Sequence, residues 1–181
     1  MATRVESSPR GDRGPRSSPS GQAAGRPRQL DERELRAWRG MLRVHATLTK
    51  ALDAELDAAH GLPLSSYEVL LHLDDAEGRR MRMSDLAASV ILSRSGLTRL
   101  VDRLERDGLI ERQSCPSDAR GSFATLTPAG RRKLEAARAT HLAGVRSLFL
   151  DHLSEEQQEA LAAAWDRLLP GVADAPGPAC G

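Results

Sequence analysis

Two groups of residues have types and spacing that suit chemistry on a polyanion. The first lies in RQSCPSDARGSFATLTPAG (112–130), where Arg120 follows Asp118 by two residues. Pro116 presets a turn and Gly121 tolerates positive φ, so this stretch reads as a tight hairpin between strands 109–114 and 122–127, with Arg120 at its tip. A guanidinium held there suits the narrow, negative minor groove of DNA, and Asp118 can accept from it and restrict its rotamers. The second group lies in LSRSGLTRLVDRLERDGLIER (92–112) and contains Ser93, Arg94, Ser95, Thr98, Arg99 and Arg103. With Leu97 at the centre of an apolar face, Ser95, Arg99, Asp102 and Arg106 fall opposite it, with Thr98 and Arg103 beside them. Hydroxyls this short reach base edges or phosphates, and Arg99 matches the fork of guanine O6 and N7. The bland reading is a solvated helix face with local ion pairs and an exposed Asp–Arg turn.

Other chemistries have less to stand on. Five histidines without His-x-x-x-His spacing or a nearby cysteine suggest no metal site. No Gly-rich phosphate loop, nucleophile–base pair or paired carboxylates stand out, so neither a catalytic site nor a cofactor is expected, and the chain does not read as an enzyme. Cys115 and Cys180 make no disulfide framework. Cys115 stands near Arg112 and Arg120, which would lower a thiol pKa, so a thiol-based redox-sensing DNA-binding regulator is an alternative reading. A protein–protein module that does not bind DNA is another.

The charge pattern bears on that choice. Net charge is only +1 over 181 residues, but it is unevenly placed. Residues 79–133 hold twelve Lys/Arg against six Asp/Glu, residues 1–30 hold six against two, and the remainder holds eight against seventeen. A basic centre between acidic flanks is the electrostatic footprint of a protein that neutralises phosphates. The arginines near the N-terminus precede no apolar block and so do not read as a secretory signal, and no apolar run is long enough to span a membrane; a cytoplasmic protein is expected.

The elements that must position these residues follow from periodicity. Residues 1–30, rich in Arg, Ser, Pro and Gly, and residues 170–181 read as disordered tails. Leu35, Trp38, Leu42, His45, Leu48, Leu52 and Leu56 form one face of a helix from Asp31 to His60, stopped by Gly61 and Pro63. Residues 64–76 follow as a short buried helix. After an extended entry at 81–83, Ser84 is expected to cap a first short helix and Ser93 a second, which packs Leu97, Leu100, Val101 and Leu104 and ends at Gly108. Thr127–Pro128 opens a helix over about 128–152, and Ser154 with Gln157 forms a capping box for another over 154–169. The fold class is mainly α (α+β): a winged helix-turn-helix over 64–127, with long terminal helices (31–63 and 128–169) whose apolar stripes are best buried against a second copy.

Residues 92–112 and the Asp-x-Arg-Gly wing in residues 115–130 resemble the multiple-antibiotic-resistance regulator (MarR) family of bacterial transcription factors, over roughly residues 31–169. The resemblance implies a homodimer with interlocked terminal helices and a winged module in each of two successive major grooves. It also implies that the helix beginning near Ser93 reads double-stranded operator DNA, that Arg120 enters the minor groove and that Asp118 orients it. A small-molecule crevice between the dimer helices and the DNA-binding lobe is implied as well, which Trp38, His45 and Tyr67 would line, although a packed core histidine is the commoner fate for His45. The expected function is a repressor relieved by a small-molecule effector.

Overall fold

A computed structural model describes residues 28–90, 94–115 and 118–169, with Arg94 and residues 114–115 and 118–121 described by their backbone alone. Helix α1 (Glu32–His60) starts at Asp31, whose side chain accepts from the Glu34 amide while Glu34 returns a bond to the Asp31 amide. Its 29 residues extend about 43 Å at the usual rise. Gly61 ends it in the left-handed region, at φ +57°, where a Cβ would be strained. Helix α2 (Leu64–Asp75) follows, with the Leu64 amide bonded to Asp53 of α1 at 2.8 Å.

A single 3₁₀ turn (Glu77–Arg79) leads into β1 (Arg80–Arg82), α3 (Met83–Ser89) and α4 (Arg94–Arg106). Strands β2 (Ile110–Cys115) and β3 (Asp118–Leu126) complete an antiparallel sheet in the order β1-β3-β2. Two local expectations are corrected here. The wing is three-stranded, because Arg80, Met81 and Arg82 pair with Thr125, Ala124 and Phe123. Ser84 does not cap α3: the cap position is Arg82, without a side-chain bond, and Ser84 Oγ donates to Asp85 instead. The expected cap at Ser93 lies outside the described residues.

Helix α5 (Pro128–Leu148) begins where Thr127 accepts from the Gly130 amide. The Thr127 hydroxyl also lies within donating distance of the carbonyls of Gly108 and Leu109, at 2.7 and 3.0 Å, which joins the end of α4 to the start of α5. Gly130 is required by close approach: a Cβ there would stand 2.0 Å from the Leu109 carbonyl oxygen. A 3₁₀ turn (Leu150–His152) then leads to α6 (Glu155–Leu168), opened by the expected Ser154–Gln157 capping box. One core runs through Leu56, Val69, Leu70 and Leu73, then Leu86, Leu97, Val101 and Leu104, and reaches Ile110, Ala124 and Leu134. Asp74 ties α2 to its surroundings by accepting from Arg79 at 3.0 Å, with Arg131 and Arg138 of α5 at 3.8 and 3.7 Å. Among the described residues, no helix is long and apolar enough to cross a membrane.

Candidate nucleic-acid interface

Helix α4 is amphipathic in the sense needed for a recognition helix. Leu97, Leu100, Val101 and Leu104 are buried, whereas Ser95, Thr98, Arg99 and Arg106 are exposed. The i, i+3, i+4, i+7 leucine and valine set seats the helix in the common core and leaves the hydroxyls and Arg99 on the open side. The backbone of Arg94 opens the helix. Ser93 lies outside the described residues.

Arg103 has a further attachment. It is exposed overall, but its Nη2 donates to the buried hydroxyl of Ser66 on α2 at 2.8 Å. The side chain thus anchors the recognition helix at the same time as its charge lies on the outer surface. Ser66 adjoins Tyr67, whose ring lies 4.5 Å from that of His141 on α5. A direct line of contacts therefore connects α5, α2 and α4.

Arg112, on β2, is the residue whose role was not anticipated. Its Nε donates to Glu105 Oε2 at 2.8 Å, its backbone amide to Glu105 Oε1 at 3.1 Å, and its Nη2 to Asp102. Asp102 and Glu105 lie one turn apart on α4, so one guanidinium fixes two turns of the recognition helix to the wing. Hydrogen bonds to Asp102 and then to Glu105 push its pKa further above an already high value, which keeps it charged at every accessible pH. The signal was present in the sequence as two acids on α4 and an arginine just past Gly108. Their pairing depends on the tight turn after the helix, where Gly108 adopts φ +71°.

The wing differs from the simple hairpin expected. Strand β2 runs to Cys115 and β3 starts at Asp118, so Arg120 lies within β3, two residues past its start, and Gly121 lies in the strand too. Pro116 lies outside the described residues. The register steps from Ser114↔Ser122 to Cys115↔Asp118, which leaves Ala119, Arg120 and Gly121 on a bulge of the longer strand. Bulges of this kind re-aim side chains near functional sites.

The three residues expected to line a crevice are not brought together. Tyr67 is 2% exposed and packed on His141, while Trp38 and His45 are exposed on α1. None of the described cavities is lined by any of them. The reason is the direction of α2, which turns Tyr67 toward α5 and the core. His45 instead faces Glu68, whose carboxyl is pushed up by burial against the opposing pull of that histidine.

With this arrangement in hand, the kinship of the chain is direct. The model of the MarR family matches residues 60–121, which take in α2, the helix-turn-helix and the first part of the wing. AbsC, a MarR family transcriptional regulator of Streptomyces coelicolor, is 39% identical in sequence; the match covers 78% of this chain and 95% of AbsC, with a TM-score of 0.72. Sco3205, a MarR family regulator of the same organism solved in complex with DNA, is 35% identical; the match covers 81% of this chain and 94% of Sco3205, with a TM-score of 0.73. The transcriptional repressor YetL of Bacillus subtilis is 28% identical over 100 residues, a stretch spanning 55% of this chain and 60% of YetL. The chain belongs to the MarR family of DNA-binding transcriptional regulators, a non-enzymatic family with the winged helix-turn-helix fold.

Proposed function

We propose that this chain is a homodimeric repressor that binds a pseudo-palindromic operator. Helix α4 enters the major groove through Ser93, Arg94, Ser95, Thr98 and Arg99, with Arg103 at the edge of the contact. The wing lies along the adjacent minor groove, where Arg120, oriented by Asp118, supplies the inserted charge. The observation that carries this reading is the two-sided character of α4: four buried apolar residues on one face, and exposed hydroxyls and Arg99 on the other. The DNA complex of Sco3205 and the repressor YetL support it by kinship. Two-fold symmetry sets the half-sites about 10 bp apart, centre to centre.

Relief by a small-molecule effector is part of the proposal, without a site at Trp38, His45 and Tyr67. Its support is the Ser66–Arg103 bond, which makes the pose of α4 depend on α2 beneath the dimer helices. An effector that favours a DNA-incompetent pose by about 1–3 kcal/mol is sufficient.

The test is a gel shift with the DNA immediately upstream of the gene, using the full chain. Wild type is expected to retard one pseudo-palindromic fragment. Arg99→Ala and Arg120→Ala should each weaken it by about 1–3 kcal/mol, the latter with loss of preference for A·T-rich flanks. Absence of any retarded upstream fragment overturns the proposal.

A further inference from the structure

The N-terminal end of α2 is held by a residue of another helix. Its cap position is Pro63, which makes no side-chain bond, and its first turn contains no acid. The Pro63 carbonyl accepts from the Ser66 and Tyr67 amides, while Asp53 of α1 accepts from the Leu64 amide at 2.8 Å. One carboxylate of α1 thus supplies both the acceptor and the negative charge that a helix start usually takes from its own residues.

The same turn of α2 holds the recognition helix. Ser66, two residues after Leu64 and 1% exposed, accepts at 2.8 Å from Arg103 in the last turn of α4. Asp53 and Arg103 therefore bond one turn of α2, the first from a terminal helix and the second from the helix assigned to the major groove. Arg112 ties α4 to the wing, so a displacement of α4 takes the wing with it.

The other end of α2 is anchored to α5, where Asp74 lies 3.8 and 3.7 Å from Arg131 and Arg138. Ser66 and Asp74 are about 12 Å apart along the helix axis, so a tilt of about 5° about Asp74 displaces Ser66 by about 1 Å. The apolar contacts around Leu56 and Leu62 hold α1 and α2 together but are non-directional and do not fix such a tilt. The Asp53 bond is directional and lies at the end that moves. A carboxylate does not bind phosphate, so an effect of Asp53 on DNA reaches it through α2.

We propose that Asp53 is a positioning residue that sets which spacing of half-sites the dimer accepts. It fixes the tilt of α2 and, through Ser66 and Arg103, the pose of α4 relative to the terminal helices. In a two-fold dimer a change of that pose is made twice and alters the separation of the two recognition helices. One base pair more between half-sites changes their separation by about 3.4 Å and their relative rotation by about 35°. A firmly held α4 rejects such a change, and a loosely held one tolerates it. This rests on the homodimeric DNA-binding reading above.

The test uses the full chain and three fluorescent duplexes built on the retarded upstream fragment. They are the fragment itself, the fragment with one base pair inserted between its half-sites, and a single half-site in mixed sequence. The readout is the ratio of affinities for the first two. Asp53→Ala should lower that ratio by about threefold or more, with affinity for the single half-site unchanged. Asp53→Asn keeps an oxygen acceptor for the Leu64 amide and should retain the wild-type ratio. Ser66→Ala should lower the ratio as Asp53→Ala does, and the double variant no further, since the two bonds act in series. Where Asp53→Ala does not fold, Asp53→Glu keeps the charge but displaces the acceptor, and it should lower the ratio too. A merely structural loss would weaken binding to all three duplexes alike and leave the ratio unmoved. An unmoved ratio, or a wild type indifferent to the inserted pair, refutes the positioning role; the DNA-binding reading survives if Arg99→Ala still lowers affinity for the fragment. If wild type retards no fragment, both fall together.

Discussion

At the scale of single residues, the recognition helix is held by side chains that need not touch DNA. Arg112 binds Asp102 and Glu105 from the wing, and Arg103 reaches Ser66 from the helix itself. Replacing Arg112 by Gln should lower stability by about 1 kcal/mol, since its carboxylate partners are partly solvated. Operator affinity should fall by roughly tenfold, equivalent to about 1.4 kcal/mol, because α4 and the wing lose their common anchor. The salt dependence of binding should not change, whereas a direct phosphate contact at Arg112 would reduce it. Binding titrations at several salt concentrations separate these outcomes. His141 makes a different prediction. Burial against Tyr67 pushes its pKa below the ordinary 6.5, so on acidification the unfolded chain takes up a proton that the folded chain refuses. Its contribution is complete above about pH 6.5 and is lost as pH falls toward the depressed folded value. Glu68 acts in the opposite sense, because burial raises its pKa: its contribution is present below 4.5 and is lost as pH rises through the folded value. Melting temperature should therefore decline between about pH 7 and 5 more steeply in wild type than in His141→Gln. Equal slopes would remove His141 from the account.

At the scale of elements, the sequence was most legible where a pattern is local. The capping box at Ser154, the stop at Gly61, the buried face of α4 and the Thr127–Pro128 start of α5 all depend on residues within a few positions of one another. The third strand and the bulge were not legible. Arg80–Arg82 is too short to show alternation, and its pairing with Phe123–Thr125 joins residues some forty positions apart. The position of Arg120 was missed for a related reason: turn residues mark where a chain reverses, but strand register decides how far pairing continues beyond it. Arg112 was visible as a cation and Asp102 as an anion, but only the αL turn at Gly108 brings them together. Gly130 has a clear element-scale consequence. The start of α5 passes so near the Leu109 carbonyl that a methyl group cannot fit without moving backbone. Gly130→Ala should thus destabilise by about 2 kcal/mol or more despite the better helix propensity of alanine. Gly40→Ala, in α1 with nothing within 4 Å of the added Cβ, is the control and should be neutral or stabilising by up to about 1 kcal/mol. Denaturant midpoints of the two variants check the contrast. If Gly130→Ala melts like wild type, the close approach has no energetic weight.

At the scale of the whole molecule, the terminal helices leave apolar surface that a single chain does not cover. Trp38, Leu42 and Val44 lie exposed on α1, and Trp165 and Leu168 on α6, even though α1 and α5 pack against each other nearer the core. Leu56 is the only fully buried residue of α1, so its expected apolar stripe is satisfied within the chain only toward its C-terminal end. A second copy would cover the remainder by an interface of at least about 1,200 Å², the lower bound of a stable association. The two tryptophans of the chain provide a direct readout. Within one chain Trp38 is 53% and Trp165 39% exposed, and neither belongs to the DNA-binding lobe. Their fluorescence should report association and little else. Emission from wild type at micromolar concentration should lie at shorter wavelength than that of solvated indole, and should move to longer wavelength on dilution through the dissociation constant. Melting temperature should rise with protein concentration, because folding and association are coupled in such a dimer. Trp38→Phe and Trp165→Phe assign the shift to each helix. Leu168→Asp, which places a charge where a Leu is 66% exposed, should scatter light as a monomer and show the long-wavelength emission at every concentration. A wild-type chain that scatters as a monomer, with emission independent of dilution, would show that these helices are covered by something other than a second copy.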